Sequence, residues 1–119
     1  MVVRGEVYAW DGSKATGSSL YESRPRTIAF TDDSFHKEGF ATGGIAVTPR
    51  AQYVIFASID KDYDQCTNGY ILAWGAVDDS AYAKGTFVFL NSGGDSNQWT
   101  TVSWHTAGLD TAFKAGVKR

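Results

Sequence analysis

Hydrophobic and polar residues alternate along two stretches of the chain, and each alternation predicts a β-strand. In residues 2–10 (VVRGEVYAW), Arg4 and Glu6 fall on one side and apolar neighbours fall on the other. This pattern of period two, with one polar side, is typical of a half-buried strand. In residues 51–59 (AQYVIFASI) both sides are largely apolar, which predicts a strand at the centre of a sheet.

Shorter strand-like segments follow along the rest of the chain, separated by clusters of Gly, Asp, Asn and Ser. They lie at residues 20–23, 26–30, 69–76, 85–90, 98–104 and 111–117. Pro25 has no N–H for a strand ladder, so it predicts a sheet edge or a break. Roughly eight strands at intervals of about 8–12 residues predict an all-β, antiparallel sandwich or barrel. The one helix candidate, residues 78–85, is a single turn at most, and we expect one domain over residues 1–119.

The apolar positions of these strands predict the core. We expect these side chains to be largely buried: Tyr53, Ile55, Phe56, Ile71, Trp74, Phe87, Phe89 and Phe113. Large aromatic side chains dominate the buried area of a small sandwich, so most of the core should be aromatic.

Composition supports a sheet protein and excludes some functions. The chain has 13 Gly, 2 Pro and 14% aromatic residues, which favours strands joined by tight turns. Net charge is −2 and the Lys and Arg residues are scattered, so no basic surface for nucleic acid is predicted. No apolar run has the length of a membrane span. Residues 1–10 lack the pattern of a signal peptide, and the cellular compartment stays open.

Three stretches together resemble a known family. They are residues 7–23 (VYAWDGSKATGSSLYES), 43–58 (GGIAVTPRAQYVIFAS) and 85–104 (GTFVFLNSGGDSNQWTTVSW), followed by DTAFKAGV. In this order they are similar to the β-sandwich domain of exported bacterial proteins that often precede PEP-CTERM or "choice-of-anchor" sorting tails. The resemblance covers nearly the whole chain. It implies a jelly-roll-like sandwich of extracellular type and no particular activity.

The chain differs from this family in two respects, and these differences lead to an expectation about its assembly. The family's first strands and its sorting tail have no counterpart here. A sandwich without an outer strand exposes unpaired backbone groups along its edge, in this case beside residues 2–10. We therefore expect a homodimer or a higher oligomer in which sheet edges pair or chain termini are exchanged, with a two-fold dimer favoured because it closes the interface on itself. The alternative is a monomer whose C-terminal strand, residues 111–117, covers this edge.

An acidic loop at residues 60–70 (DKDYDQCTNGY) is a candidate calcium site. Asp60, Asp62 and Asp64 match the first three ligand positions of an EF-hand, but Gln65 and Ile71 replace the required Gly and Glu. An EF-hand is thereby excluded, whereas a looser calcium site remains a hypothesis. The alternative is a solvated polar loop in which Asp and Asn form turns.

The second candidate is a carbohydrate site. Trp10, Trp99 and Trp104 lie at strand ends beside polar loops, where an indole ring can stack on a sugar. The ligand-binding hypothesis names Trp99 or Trp104 as the stacking ring. The polar groups at its edge are then Asp95, Asn97 and His105. The alternative, which we favour, is that these rings close the ends of the sandwich over its core.

Other chemistry is weak. Ser103, His105 and Asp110 lie within eight residues but lack the nucleophile-elbow pattern. Neighbouring aspartates argue against a reactive Cys66. The sequence therefore favours a non-catalytic domain of structural, adhesive or self-associating type. A carbohydrate-binding module is the alternative, and an enzyme is the weakest of the three.

Overall fold

The fold is all-β, with antiparallel sheets. The computed structural model describes residues 1–28, 36–65, 74, 76–78, 84–111, 113 and 115–116. Within this part of the chain the strands are β1 (Val2–Trp10), β2 (Ala15–Glu22), β3 (Arg26–Thr27), β4 (Tyr53–Ser58), β5 (Ala76–Asp78), β6 (Phe87–Phe89), β7 (His105–Ala107) and β8 (Leu109–Thr111). Two short 3₁₀ segments accompany them, Asp60–Gln65 and Ser96–Thr100.

β1 is the central strand of the main sheet and has partners on both edges, so the unpaired edge expected beside residues 2–10 is not found there. β4 pairs with it antiparallel from Ala9↔Tyr53 to Arg4↔Ser58. On its other edge, β1 pairs with β2 and β3. β2 and β3 are separated at residues 23–25, as expected for the ladder break at Pro25. Two further ribbons pair β5 with β8 and β6 with β7.

The core lies on one face of the main sheet, here called the tryptophan face. Its buried members are Tyr8, Ala15, Val54, Trp99 and Trp104, with Trp10, Phe56, Val88 and Leu90 packed around them. Tyr8 and Val54 face each other across the β1–β4 ladder, as do Glu6 and Phe56. Even-numbered side chains of these two strands therefore point to the core.

Several sequence predictions about strands and core were wrong. Residues 98–104 were expected to be a strand, but Ser96–Thr100 form a 3₁₀ turn. Trp74, Phe89, Phe113 and Ile55 are exposed. The remaining predicted core residues Tyr53, Phe56 and Phe87 are half-buried.

Some predictions lie outside the described residues. These are Ile71, most of the predicted strand 69–76 and most of the helix candidate 78–85. Within the described part of the chain, no helix is long and apolar enough to cross a membrane.

Candidate functional site

The two tryptophans of the carbohydrate hypothesis are core residues. Trp99 is 3% exposed and Trp104 is 8% exposed. Each ring meets Phe56 edge-on, with ring centroids 5.0 Å apart in both pairs. The Trp104 indole N–H donates to the carbonyl oxygen of Trp99 at 2.9 Å. Neither indole offers a free face for a sugar, so the structure favours the alternative in which the rings cover the core.

The polar residues of that hypothesis have local roles. The Asp95 carboxylate accepts the backbone N–H of Asn97 at 3.0 Å and caps the 3₁₀ turn that carries Trp99. The exposed His105 ring lies on Phe89, with ring centroids 5.3 Å apart. Asp95 and Asn97 therefore shape the loop before Trp99, while His105 packs on the β6–β7 ribbon.

Asp60 links the acidic loop to the tryptophan core. Its Oδ2 accepts the Trp99 indole N–H at 2.6 Å. The same oxygen accepts the Ser92 hydroxyl, and Ser92 is itself buried. A half-buried carboxylate is thus held by two donors from the segment that follows β6. These bonds fix the start of the Asp60–Gln65 turn against that segment.

A cleft opens beside this carboxylate. It has a volume of about 320 Å³ and is lined by Ile59, Asp60, Leu90, Asn91, Ser92 and Gly93. Aliphatic side chains, a carboxylate, an amide and a hydroxyl therefore line one small space. Such a mixture of apolar surface and a few polar groups is common in small-molecule sites.

Asp62 is bound to Arg4 of β1. The Arg4 Nε lies 2.7 Å from Asp62 Oδ2, and one terminal nitrogen lies 3.1 Å from Oδ1. This two-pronged geometry is the strong form of an Arg–carboxylate pair. The hydrogen bond from Arg4 lowers the pKa of Asp62, against the effect of desolvation.

Two of the three aspartates in the calcium hypothesis are bound to other side chains. Asp60 is bound to Trp99 and Ser92, and Asp62 is bound to Arg4. Any cation that used either carboxylate would have to compete with these partners. The side chain of Asp64 lies outside the described residues. Calcium binding by Asp60, Asp62 and Asp64 therefore stays a prediction.

Glu6 is the most unusual ionisable residue. It is 2% exposed, and none of the residues that the structure describes donates a hydrogen bond to its carboxylate oxygens. Its cross-strand neighbour in β2 is Glu22. Burial, followed by the hydrogen bond to Glu22 and its negative charge, raises the pKa of Glu6 to about 8. This raised pKa favours the protonated form of Glu6, whose proton can be shared with the carboxylate of Glu22.

Glu22 carries the negative charge of this pair. Lys61 Nζ lies 2.5 Å from Glu22 Oε2, and an Arg4 nitrogen lies 3.4 Å from Oε1. Burial opposes ionisation of Glu22, but Lys61, the Glu6 proton and Arg4 outweigh it and lower its pKa. The hydrogen bond to Glu22 in turn raises the pKa of Lys61. Arg4, Glu6, Glu22, Lys61 and Asp62 together form one ionic cluster.

The opposite side of the main sheet, the outer face, carries no charged side chain on β1 or β4. It consists of Val3, Gly5, Val7 and Ala9 of β1 and Tyr53, Ile55 and Ala57 of β4. Ile55 is 47% exposed. It pairs with Val7, and Val7 pairs with Tyr21 of β2, so one uncharged row crosses three strands.

Two features border this face. At one end the Phe40 ring packs on Gly5, close enough that a Cβ on Gly5 would lie 2.8 Å from it. The Arg26 guanidinium stacks on the same ring, 4.3 Å from its centroid. Toward β4, the Tyr53 hydroxyl accepts the backbone N–H of Thr48 at 2.7 Å. The preceding residue, Val47, is 52% exposed.

Comparison of the chain with protein-family models, with curated proteins and with solved structures finds no match. The resemblance to domains that precede sorting tails therefore stays a prediction.

The sequence reasoning did not single out the ionic cluster or the cleft. Arg4 and Glu6 were expected on a solvated side of β1, but this strand has partners on both edges and buried residues on both faces. The sequence did hold a sign of this burial, because Arg4 and Glu6 lie between apolar residues within a long strand. The cleft had no local signal, since Ile59 and Leu90 are far apart in sequence.

Proposed function

We propose that this chain is a non-catalytic β-domain of structural or adhesive type that works by self-association, with a two-fold dimer as its basic unit. The proposal places the contact on the outer face of the main sheet. A second copy of the chain is its occupant.

The observation that carries the proposal is the uncharged row from Ile55 through Val7 to Tyr21, with Ile55 about half exposed. Burial of aliphatic and aromatic surface drives most protein association. This row carries no charge and does not repel its own copy, so it suits a two-fold contact in which the same patch is used twice. The exposed Val47 adds apolar surface near β4.

A jelly-roll-like sandwich of about eight strands is part of the same proposal. What supports it is the antiparallel pairing of the main sheet and of the two ribbons. In a sandwich, one face of each sheet packs inward and the other faces out. The tryptophan face is then the inward face. On the outer face Val3 and Gly5 are buried, so the part around Ile55, Val7 and Tyr21 is the surface available for a partner.

The test uses charge placed on the outer face. Ile55→Lys would bury an ammonium in each half of the interface, which is strongly unfavourable without a partner charge. We expect the variant to be monomeric by light scattering under conditions in which the parent chain is dimeric. Leu109→Lys is the matched control, because Leu109 is also exposed but belongs to β8, outside the main sheet.

The control should keep the dimer. If Ile55→Lys remains dimeric while its circular dichroism spectrum is unchanged, the outer face is not the interface. If both variants become monomeric, the contact involves β8 as well, and the assignment to the outer face is wrong.

A further inference from the structure

The cleft between Ile59–Asp60 and Leu90–Gly93 has no part in the proposed association, because its residues lie outside β1, β2 and β4. Its volume of about 320 Å³ is at the lower end of the range of about 300–1,000 Å³ for small-molecule sites. This size suits a single small ring better than an extended chain.

Asp60 gives the cleft a fixed acceptor. The Trp99 indole and the Ser92 hydroxyl both donate to Oδ2. In the part of the chain that the structure describes, no donor contacts Oδ1. The carboxylate is therefore held in place through Oδ2 by two buried residues, and Asp60 itself lines the cleft. Pre-organised polar groups of this kind lower the entropic cost of binding.

Asn91 and the two aliphatic residues complete the chemistry. Asn91 is exposed and offers both an amide donor and an acceptor. Ile59 and Leu90 present hydrocarbon on the same cleft. A carboxylate and an amide that line the same cleft can bond hydroxyl groups, and hydrocarbon matches the C–H surface of a sugar ring.

We propose that this cleft binds one neutral saccharide unit through neighbouring hydroxyl groups, with Asp60 and Asn91 as the hydrogen-bonding residues and Leu90 and Ile59 as the apolar contact. Trp99 acts as a positioning residue for Asp60 through its indole N–H, and the sugar does not stack on its ring.

A divalent cation fits this cleft less well. Calcium takes six to eight oxygen ligands, whereas Asp60 is the one carboxylate among the six lining residues and two of the six are aliphatic. A neutral polyol uses both the polar and the apolar lining, which is why the proposal names a saccharide.

The test is an NMR titration of the ¹⁵N-labelled chain with glucose, galactose, mannose and N-acetylglucosamine, each at millimolar concentrations. The Trp99 indole N–H is a direct reporter, because its acceptor is Asp60. We expect at least one sugar to shift this resonance together with the Asn91 side-chain amide. Asn91→Ala should weaken that binding roughly tenfold, the effect of one lost hydrogen bond with its neighbouring contacts.

Asn97→Ala is the matched control, since Asn97 is an exposed Asn of the neighbouring 3₁₀ turn that does not line the cleft. It should bind as the parent chain does. The proposal is overturned if no sugar shifts the Trp99 indole, or if Asn91→Ala and Asn97→Ala bind the sugar equally well. A shift produced by calcium chloride and by no sugar would also overturn it and would assign the cleft to a cation. Monomeric Ile55→Lys can be titrated in the same way, so the result does not depend on self-association.

Discussion

At the scale of single residues, Glu6 has the environment least suited to its charge. It lies in the central strand with almost no exposure, opposite another glutamate. An ionised Glu6 would be a buried charge beside a like charge, which is unfavourable. Protonation removes both costs and supplies a hydrogen-bond donor to Glu22. The groups that face this pair are Arg4 and Lys61, which hold the negative charge on Glu22.

The raised pKa of Glu6 predicts how stability depends on pH. An unfolded glutamate ionises near pH 4.5, whereas the folded pKa is about 8. The contribution of Glu6 to stability is therefore complete below pH 4.5 and is lost as the pH rises toward 8. The loss is at most about 1.4 kcal/mol for each pH unit. Glu22 has a pKa below the usual value of 4.5. Its contribution to stability is therefore complete above pH 4.5 and is lost as the pH falls below that value.

Glu6→Gln should remove this dependence, because the amide keeps a donor for Glu22 and does not titrate. Urea unfolding at pH 5, 6.5 and 8 measures it. The parent chain should lose stability across this range, and the variant should show a much flatter profile and be the more stable of the two at pH 8. Glu38→Gln, at an exposed ion pair with Arg26, should keep the parental slope. An unchanged slope in Glu6→Gln would show that Glu6 is not the titrating group.

Two phenylalanines distinguish the observed core from the predicted one. Phe56 packs against both Trp99 and Trp104, whereas Phe89 is 37% exposed. Both were predicted from the sequence to be buried. Phe56 is half-buried, so Phe56→Ala should lower the free energy of unfolding by about 3 kcal/mol, the lower end of the usual cost for a buried Phe. Phe89→Ala should cost clearly less, and denaturant unfolding of the two variants compares them. Equal costs would contradict the core described here.

At the scale of elements, β1 organises the molecule. It has partners on both edges, and its two faces lead to the tryptophan core and to the outer face. Gly5 in this strand allows the Phe40 ring to lie against the backbone, and the ring leaves no space for a Cβ atom at this position. The segment before β4 is thereby brought onto the sheet, where the Arg26 guanidinium covers the same ring.

Gly5→Ala should therefore destabilise the chain by about 1–3 kcal/mol, the usual cost of an overpacked contact. The same substitution in a Phe40→Ala background should cost much less, because the clashing ring is gone. A double-mutant cycle by thermal or urea unfolding measures the coupling. Gly39→Ala is the control, since a Cβ there meets nothing within 4 Å. Without coupling between residues 5 and 40, the packing contact is not the reason for glycine at this position.

The elements also show how far the sequence could predict this fold. β1, β4 and the break at Pro25 follow from local rules of alternation and proline chemistry. The turn at Ser96–Thr100 does not, because QWTTVSW has the composition of a strand. There the Asp95 cap and the burial of both indoles outweigh strand propensity. Among the described residues, β1 has partners on both edges, which alternation does not reveal because pairing partners are set by tertiary contacts.

The candidate sites depended even more on tertiary structure. Asp60 was found from the sequence as part of an acidic loop, but its partners Ser92 and Trp99 are more than thirty residues away. The tryptophans were singled out because of their polar neighbours, but Asp95 caps a 3₁₀ turn and His105 packs on Phe89 of the β6–β7 ribbon. A local motif could identify polar residues, therefore, but could not show which of them share a cleft.

At the scale of the whole molecule, the central claim is that the outer face of the main sheet associates with a second copy. A stable interface of this kind buries on the order of 1,200–2,000 Å² in total. The small net charge of −2 gives little long-range repulsion between copies. The ionic cluster lies on the tryptophan side with Glu6, so the contact itself should be insensitive to salt.

Sedimentation equilibrium of the unmodified chain at micromolar concentrations tests this claim most directly. The predicted result is a mass of about twice the 12.9 kDa of one chain, unchanged between low and high salt. A mass of 12.9 kDa at every concentration would contradict self-association through the outer face.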